Sequence, residues 1–298
     1  MNFELLFLGT SAAVPSASRG HASLALKYFN EVLLFDCGEG TQRQLIRSGT
    51  SYMKIKKIFV THYHGDHFLG IPGLLQTMSL GERTEPLHIY GPQGIEDVVE
   101  MIINICRSDI SFDVIPIEIK QGAVFECDIY RVRAVKVDHS ALTFGLIFEE
   151  VKGREFVRKK ALALGLKPGP AYSKLKRGEN VEVEGRVITP DDVLGEQKTC
   201  KRIVYTSDTR PCEEIVDECL DAVLIHDSTL DHELVEQAVE ATHSTCVEAA
   251  EVARKGKAKK LFLNNISPRY KDPEILLKQA REVFPETEVA TDFLKYKP

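Results

Sequence analysis

Along this chain of 298 residues, short apolar or β-branched runs alternate with stretches whose apolar residues recur at helical spacing. The runs at residues 57–60, 131–137, 201–206, 222–225 and 260–263 have the composition and length of strands, and each ends in a polar cluster. Residues 24–26 and 32–35 flank Tyr28-Phe29-Asn30-Glu31 and predict a hairpin. From Gln93 to Arg107, the residues Ile95, Val98, Val99, Ile102, Ile103 and Cys106 fall on one helical stripe, which predicts a helix facing a core. The first third alternates strands with helices, residues 113–150 read as strands, and helices mix with strands again after Thr199. That order suits two β-sheets packed face to face with helices outside, an α/β fold.

The polar clusters carry the chemistry. Lys57-Ile58-Phe59-Val60 delivers Thr61-His62-Tyr63-His64-Gly65-Asp66-His67, three imidazoles and a carboxylate within six residues. In extended backbone, side chains alternate with period two, so His62 and His64 leave the same side and can share one ion. Gly65 is expected to permit a sharp turn that aims Asp66 and His67 at a second position. Imidazole suits zinc, and a carboxylate added to imidazoles suits a catalytic site that keeps one position open for water. The later strand ends deliver His139, Asp208, His226 and Asn265. Ligands on successive strand ends converge on one rim, so with the histidine cluster they complete a two-metal centre.

With these residues in view, the chain resembles the metallo-β-lactamase superfamily and, within it, the ribonuclease Z family, which matures the 3′ end of transfer RNA precursors. Superfamily membership rests on the histidine cluster. The family rests on further segments: Leu34-Phe35-Asp36-Cys37-Gly38-Glu39-Gly40-Thr41-Gln42, Gly70-Ile71-Pro72-Gly73, Ile225-His226-Asp227-Ser228-Thr229, His243-Ser244-Thr245 and Ser267-Pro268-Arg269-Tyr270. The resemblance spans essentially the whole chain and implies an αββα sandwich in one domain, residues 1–298, with a protruding basic arm inserted at 151–198. It implies two zinc ions per subunit: His62, His64 and His139 on the first, Asp66 and His67 on the second, Asp208 bridging. Asn265 stands where the family has a histidine ligand to the second ion. An amide oxygen is a poorer zinc ligand than imidazole, so the second site should be weak or should accept a harder ion such as manganese.

The same resemblance implies an endoribonuclease that removes 3′ trailers and leaves a 3′-hydroxyl on the tRNA. Zinc lowers the pKa of bound water to about 7, which supplies hydroxide near neutral pH. Asp66 would orient or accept the proton of the attacking water. His243 is the candidate acid or transition-state stabiliser, and His226 would brace the site. The spacing of Thr245 and Glu248 also predicts a capping box, which by itself needs nothing from His243. Two other readings remain open: a small-molecule phosphodiesterase on the same scaffold, and an RNA-holding dimer that lost hydrolysis with the histidine at Asn265.

Charge sharpens this picture. Residues 151–178 hold nine Lys or Arg and one acid, a surplus of eight in a chain of net charge −6, so the remainder carries −14. Within that segment, Gly165-Leu166-Lys167-Pro168-Gly169-Pro170 resembles the tip of the flexible arm with which the family clamps tRNA. Lys167, Lys174, Lys176 and Arg177 are the expected phosphate contacts, together with Arg19 in a loop where relatives carry a lysine and an asparagine at the positions of Ala17 and Gly20. Such contacts weaken steeply with salt and select by shape. The expected partners are a tRNA precursor and a second copy of the chain, with neither DNA nor membrane. No run approaches the roughly 20 apolar residues of a membrane span, and the chain opens directly in a strand, without a secretory signal. Seven cysteines without C-x-x-C spacing argue against a disulfide framework or a zinc ribbon, which points to reducing cytoplasm.

Overall fold

The computed structural model describes residues 3–105, 109–183, 185–195 and 200–298. The chain divides into two compact units, one of residues 1–125, 132–148 and 202–298, the other of residues 126–131 and 149–201. Sixteen strands are present among the described residues: β1 (Phe3–Gly9), β2 (Ser23–Tyr28), β3 (Glu31–Phe35), β4 (Ile55–Phe59), β5 (Leu87–Gly91), β6 (Val114–Glu118), β7 (Gly122–Glu126), β8 (Tyr130–Lys136), β9 (Phe144–Glu150), β10 (Val181–Val183), β11 (Arg186–Ile188), β12 (Arg202–Tyr205), β13 (Val223–Asp227), β14 (Lys260–Asn264), β15 (Thr287–Val289) and β16 (Lys295–Tyr296). They form two seven-stranded sheets, ordered β16-β1-β2-β3-β4-β5-β6 and β15-β14-β13-β12-β9-β8-β7, and a separate pair, β10-β11. The predicted hairpin is β2-β3, antiparallel from Leu24↔Phe35 to Tyr28↔Glu31. Strands β3 to β6 run parallel, as do β12 to β15.

Period-two alternation explains the layering of the larger unit. In β1, Leu6 and Leu8 join the cluster built with Leu45, Leu74, Met78, Ile95, Val99 and Ile102 from the helices Thr41–Arg47, Ile71–Leu80 and Ile95–Ile105. Phe3 and Phe7, one residue out of phase, meet Phe148 of β9 and Phe262 of β14, with ring centroids 5.4 and 5.1 Å apart. Strand β1 is thus covered on both faces, and this is why it reads as a continuous apolar run. On the far side, Leu224, Leu261 and Leu263 pack with Ala249, Ala250, Ala253, Leu276 and Ala280 of the helices Cys246–Lys255 and Glu274–Val283. The layers are helix, sheet, sheet, helix, the predicted sandwich. The stripe in the helix Ile95–Ile105 buries Ile95, Val99 and Ile102; Cys106, its final member, lies outside the described residues.

The smaller unit has its own core. Ala161, Leu166, Leu175, Ile188, Val193 and Leu194 are buried together, with Phe156 and Tyr172 packed against them at a ring separation of 4.5 Å. Its helices are Arg158–Ala163, Pro170–Lys176 and Pro190–Val193, the last opened by a Thr189/Asp192 capping box. The segment expected as an arm is therefore a folded miniature unit.

Candidate metal centre

The carboxyl ends of β4, β12, β13 and β14, and the chain leaving β8, supply the polar residues. Ligands commonly bind outside this end of parallel strands. His62 follows β4, and His64 is the N-cap of a one-turn helix, Gly65–Phe68, that carries Asp66 and His67. The turn expected at Gly65 is made by this helix, closed by His67 N donating to His64 O at 3.0 Å, and not by a left-handed glycine. Glycine is needed instead at Gly38 and Gly70. A Cβ on Gly38 would stand 2.2 Å from Asp66 O, and one on Gly70 would stand 2.0 Å from Gly38 O. These contacts seat the Gly65–Phe68 helix against the backbone after β3.

One bond on each of His67, His62 and His139 decides which nitrogen is bare. His67 Nδ1 donates to Asp36 Oδ2 at 2.8 Å, so Nε2 is an unprotonated lone pair in the neutral ring. Thr61 spends its hydroxyl proton on Asp36 Oδ1, 2.9 Å away, and accepts from His62 Nδ1 at 3.1 Å. His139 Nδ1 donates to Thr242 O at 3.0 Å. Bare nitrogens of His62, His64 and His139 then meet an oxygen of Asp208, these atoms all within 4.8 Å of one another. His139 Nε2 and His64 Nδ1 face each other at 3.2 Å, a spacing two lone pairs tolerate only with a cation or proton between them. Atoms of Asp66, His67 and Asp208 form a second such group, with His67 Nε2 3.4 Å from Asp208 Oδ1 and 3.5 Å from Asp66 Oδ2. His62 Nε2, His67 Nε2 and Asp208 Oδ1 are buried without a hydrogen-bond partner. Buried lone pairs are normally satisfied, so these donors, with Asp208 common to both groups, fit bound metal ions.

Electrostatics agree. Burial, then the neighbouring His67, pushes the His62 pKa down to about 2, which keeps it neutral. Burial would lower His67 and raise Asp208, but Asp208 and Asp36 raise the His67 pKa well above 6.5 and the charge on His67 holds the Asp208 carboxyl well below the carboxylate range, so the pair favours a positive charge at Nε2, a proton or in its place a metal ion. Burial would lower His243 too, yet Asp227 Oδ2, 2.8 Å from Nδ1, reverses this and raises its pKa to about 9.

A third cluster, Asp208, Asp227 and His243, has similar spacing but a different use. Asp227 Oδ1 accepts from Thr229 N and Thr229 Oγ1, at 3.1 and 2.7 Å; Oδ2 accepts from Thr209 N, at 3.0 Å, and from His243. All four lone-pair directions are taken, so Asp227 is a holder of His243. His226 is fully buried and donates from Nδ1 to Asp227 O at 2.8 Å, which ties it to the same support.

Asn265 sits in the left-handed region, φ 59°, directly after β14. Arg19 has a use other than the one expected. It is 7% exposed, and Nη1 donates to Thr10 Oγ1 and Ala290 O, each at 2.6 Å, so it braces its loop internally. In the smaller unit, Lys167, Lys174, Lys176 and Arg177 are exposed, and Arg177 pairs with Glu179 at 3.1 Å. Sequence reasoning gave no role to Asp36, Asp227 or Thr242. For the two acids the available signal was the one used for Asp208, a carboxylate at the end of an apolar strand.

A family model described as the anti-Pycsar protein Apyc1 matches residues 3–154, which takes in His62 to His67 and His139 but stops before Asp208 and His243. Full-length relatives go further. The chain is 49% identical over 292 residues to a ribonuclease Z of Methanothermobacter thermautotrophicus, covering 98% of this chain and 95% of the relative. It is 41% identical to a ribonuclease Z of Methanosarcina acetivorans, covering 99% of both. Among solved structures, the short form of human tRNase Z is similar with a TM-score of 0.72 and 28% identity over 99% of this chain and 98% of that one. The metallo-β-lactamase fold protein YhfI of Bacillus subtilis has the same TM-score at 17% identity and shares the fold. Identity of this extent over nearly every residue, on a sandwich whose rim gathers these histidines and aspartates, makes the chain a member of the ribonuclease Z family.

Proposed function

We propose that this protein is an endoribonuclease that cuts tRNA precursors at the end of the mature sequence, releasing the 3′ trailer and leaving a 3′-hydroxyl on the tRNA. The observation that carries the reading is the meeting of the His62, His64 and His139 nitrogens with Asp208 in a chain 49% identical to a ribonuclease Z. His62, His64 and His139 would hold one zinc ion, Asp66 and His67 the other, with Asp208 between them. When bound, such ions acidify water and neutralise the charge that grows on a phosphodiester.

The protein's own groups do the rest. Asp66 Oδ2, steadied by Ala13 N at 3.1 Å, orients the attacking water and takes its proton. As the phosphorus–oxygen bond to the ribose breaks, the 3′ oxygen needs a proton. His243, held protonated at neutral pH by Asp227, supplies it from Nε2. The exposed lysines of the smaller unit grip phosphates without reading sequence. The working form is a homodimer in a reducing cytoplasm, a setting that seven cysteines without C-x-x-C spacing support.

The test is cleavage of an end-labelled precursor tRNA, with zinc and with manganese, beside a chromogenic small diester. A single cut after the discriminator base is the expected result. Turnover of the small diester alone would replace this reading with a small-molecule phosphodiesterase, and tight RNA binding without cutting would replace it with a holding protein.

A further inference from the structure

The turn that carries His243 holds a strained residue. The helix Val235–Glu240 closes with two backbone bonds, Thr242 N donating to Val239 O at 3.1 Å and His243 N to Ala238 O at 2.9 Å, and Thr242 lies in the left-handed region at φ 57°. Helices that end this way ordinarily place glycine at that position. A β-branched residue there is an outlier, because its Cβ crowds the following carbonyl. What the side chain returns for this strain is a grip on the loop that bears His139. The Thr242 hydroxyl donates to Ala241 O at 2.7 Å, which leaves Oγ1 to accept from Ser140 N at 3.1 Å. His139 Nδ1 lies 3.0 Å from both Thr242 O and Thr242 Oγ1, so its proton is shared between two oxygens of one residue. Arg210 ties the same two segments a second time: its N donates to Asp138 O at 2.8 Å and its Nη1 to His243 O. The His139 and His243 rings joined in this manner have centroids 5.2 Å apart.

We propose that Thr242 is a positioning residue that uses its hydroxyl and carbonyl together to fix the metal ligand His139 against the turn carrying the proton donor His243, so that ion and acid are held at one spacing. This deepens the roles proposed above for His139 and His243 and rests on them. The carbonyl would be supplied by any residue at this position. The hydroxyl is Thr242's own, and it alone reaches Ser140 N, the backbone next to the ligand. A displacement of about 1 Å at such a point is enough to cost a large part of a rate that depends on alignment.

Three variants of the full-length protein separate positioning from support of the fold. Thr242→Gly keeps the carbonyl, relieves the left-handed backbone and loses the hydroxyl; Thr242→Ser restores the hydroxyl; His139→Ala removes the ligand. Each is measured for its melting temperature without metal, for zinc affinity by competition with a chromophoric chelator, and for kcat and KM on precursor tRNA. Thr242→Gly is expected to melt no lower than wild type, to bind zinc about tenfold more weakly and to lose about tenfold or more in kcat at unchanged KM. Thr242→Ser should recover both losses. The proposal falls if Thr242→Gly keeps wild-type zinc affinity and kcat, if it loses them only together with a lower melting temperature, or if Thr242→Ser recovers neither. Unchanged zinc affinity in His139→Ala would overturn the metal role of His139 and this proposal with it, whereas a loss there with none in Thr242→Gly would overturn the positioning role alone. The zinc measurement needs no RNA, so a chain that gave the expected affinities and yet failed to cut precursor tRNA would overturn only the substrate reading.

Discussion

Asp36 is not among the proposed metal ligands, yet it settles the state of His67, which is. Its carboxylate accepts from Thr61 N at 2.8 Å, from Tyr205 Oη at 2.9 Å and from His67 Nδ1, all in a fully buried setting. Asp36→Asn keeps the shape but must turn an amide N–H toward one of these donors. Zinc affinity is expected to fall roughly 10–100-fold, the usual cost of losing a carboxylate behind a metal-binding histidine. Competition against a chromophoric chelator would measure it, and unchanged affinity would remove Asp36 from this role. His243 makes a prediction in pH. A proton donor must be protonated, and the Asp227 contact raises its pKa from 6.5 to about 9. Bound cations pull this value back down, so the alkaline fall in kcat should lie between those limits, activity being lost as pH rises through it. His243→Ala should lower kcat by about 10²–10⁴-fold and abolish that limb. A variant that kept the same alkaline fall would assign the limb to another group.

Elements translate these residues into geometry. The helix Cys246–Lys255 begins with a complete capping box: Glu248 N donates to Thr245 Oγ1 at 3.2 Å and Thr245 N donates to Glu248 Oε2 at 2.9 Å. Glu248 also pairs with Arg210, whose Nη1 donates to His243 O, so the cap anchors the turn that carries His243. Thr245→Ala should cost about 1 kcal/mol in urea unfolding; no shift in the midpoint would mean the box contributes nothing here. The sequence made the strands and most of the ligands visible because a buried strand leaves an apolar run and its end leaves a polar break. It did not reveal the Gly65–Phe68 helix, since four residues carry no periodicity. Nor did it single out Asp36 or Asp227, since one acid after a strand reads equally well as a turn. The core of the smaller unit was hidden for another reason: Ala161, Leu166 and Leu175 are interleaved with lysines and arginines, so charge masks their spacing.

At the scale of the whole molecule, charge is unevenly divided along the chain. An RNA polyanion meets a chain whose surplus of eight positive charges lies in residues 151–178, while the remainder carries −14. Attraction from the basic segment must therefore offset repulsion from the rest, and that balance is tuned by salt. Lys167, Lys174 and Lys176 are exposed and belong to a unit distinct from the one bearing the histidines. Reversing all three to Glu should raise KM for precursor tRNA by at least about tenfold and leave kcat at saturation within about twofold, because uniform binding is lost and the transition state is untouched. The slope of log affinity against log salt should flatten by roughly one for each phosphate contact removed. Hydrolysis of a small diester, which offers these lysines no run of phosphates to hold, should be unaffected. If kcat fell while KM and the salt slope held, the lysines would be acting on the chemistry or the fold, and the division of labour argued from charge would be wrong.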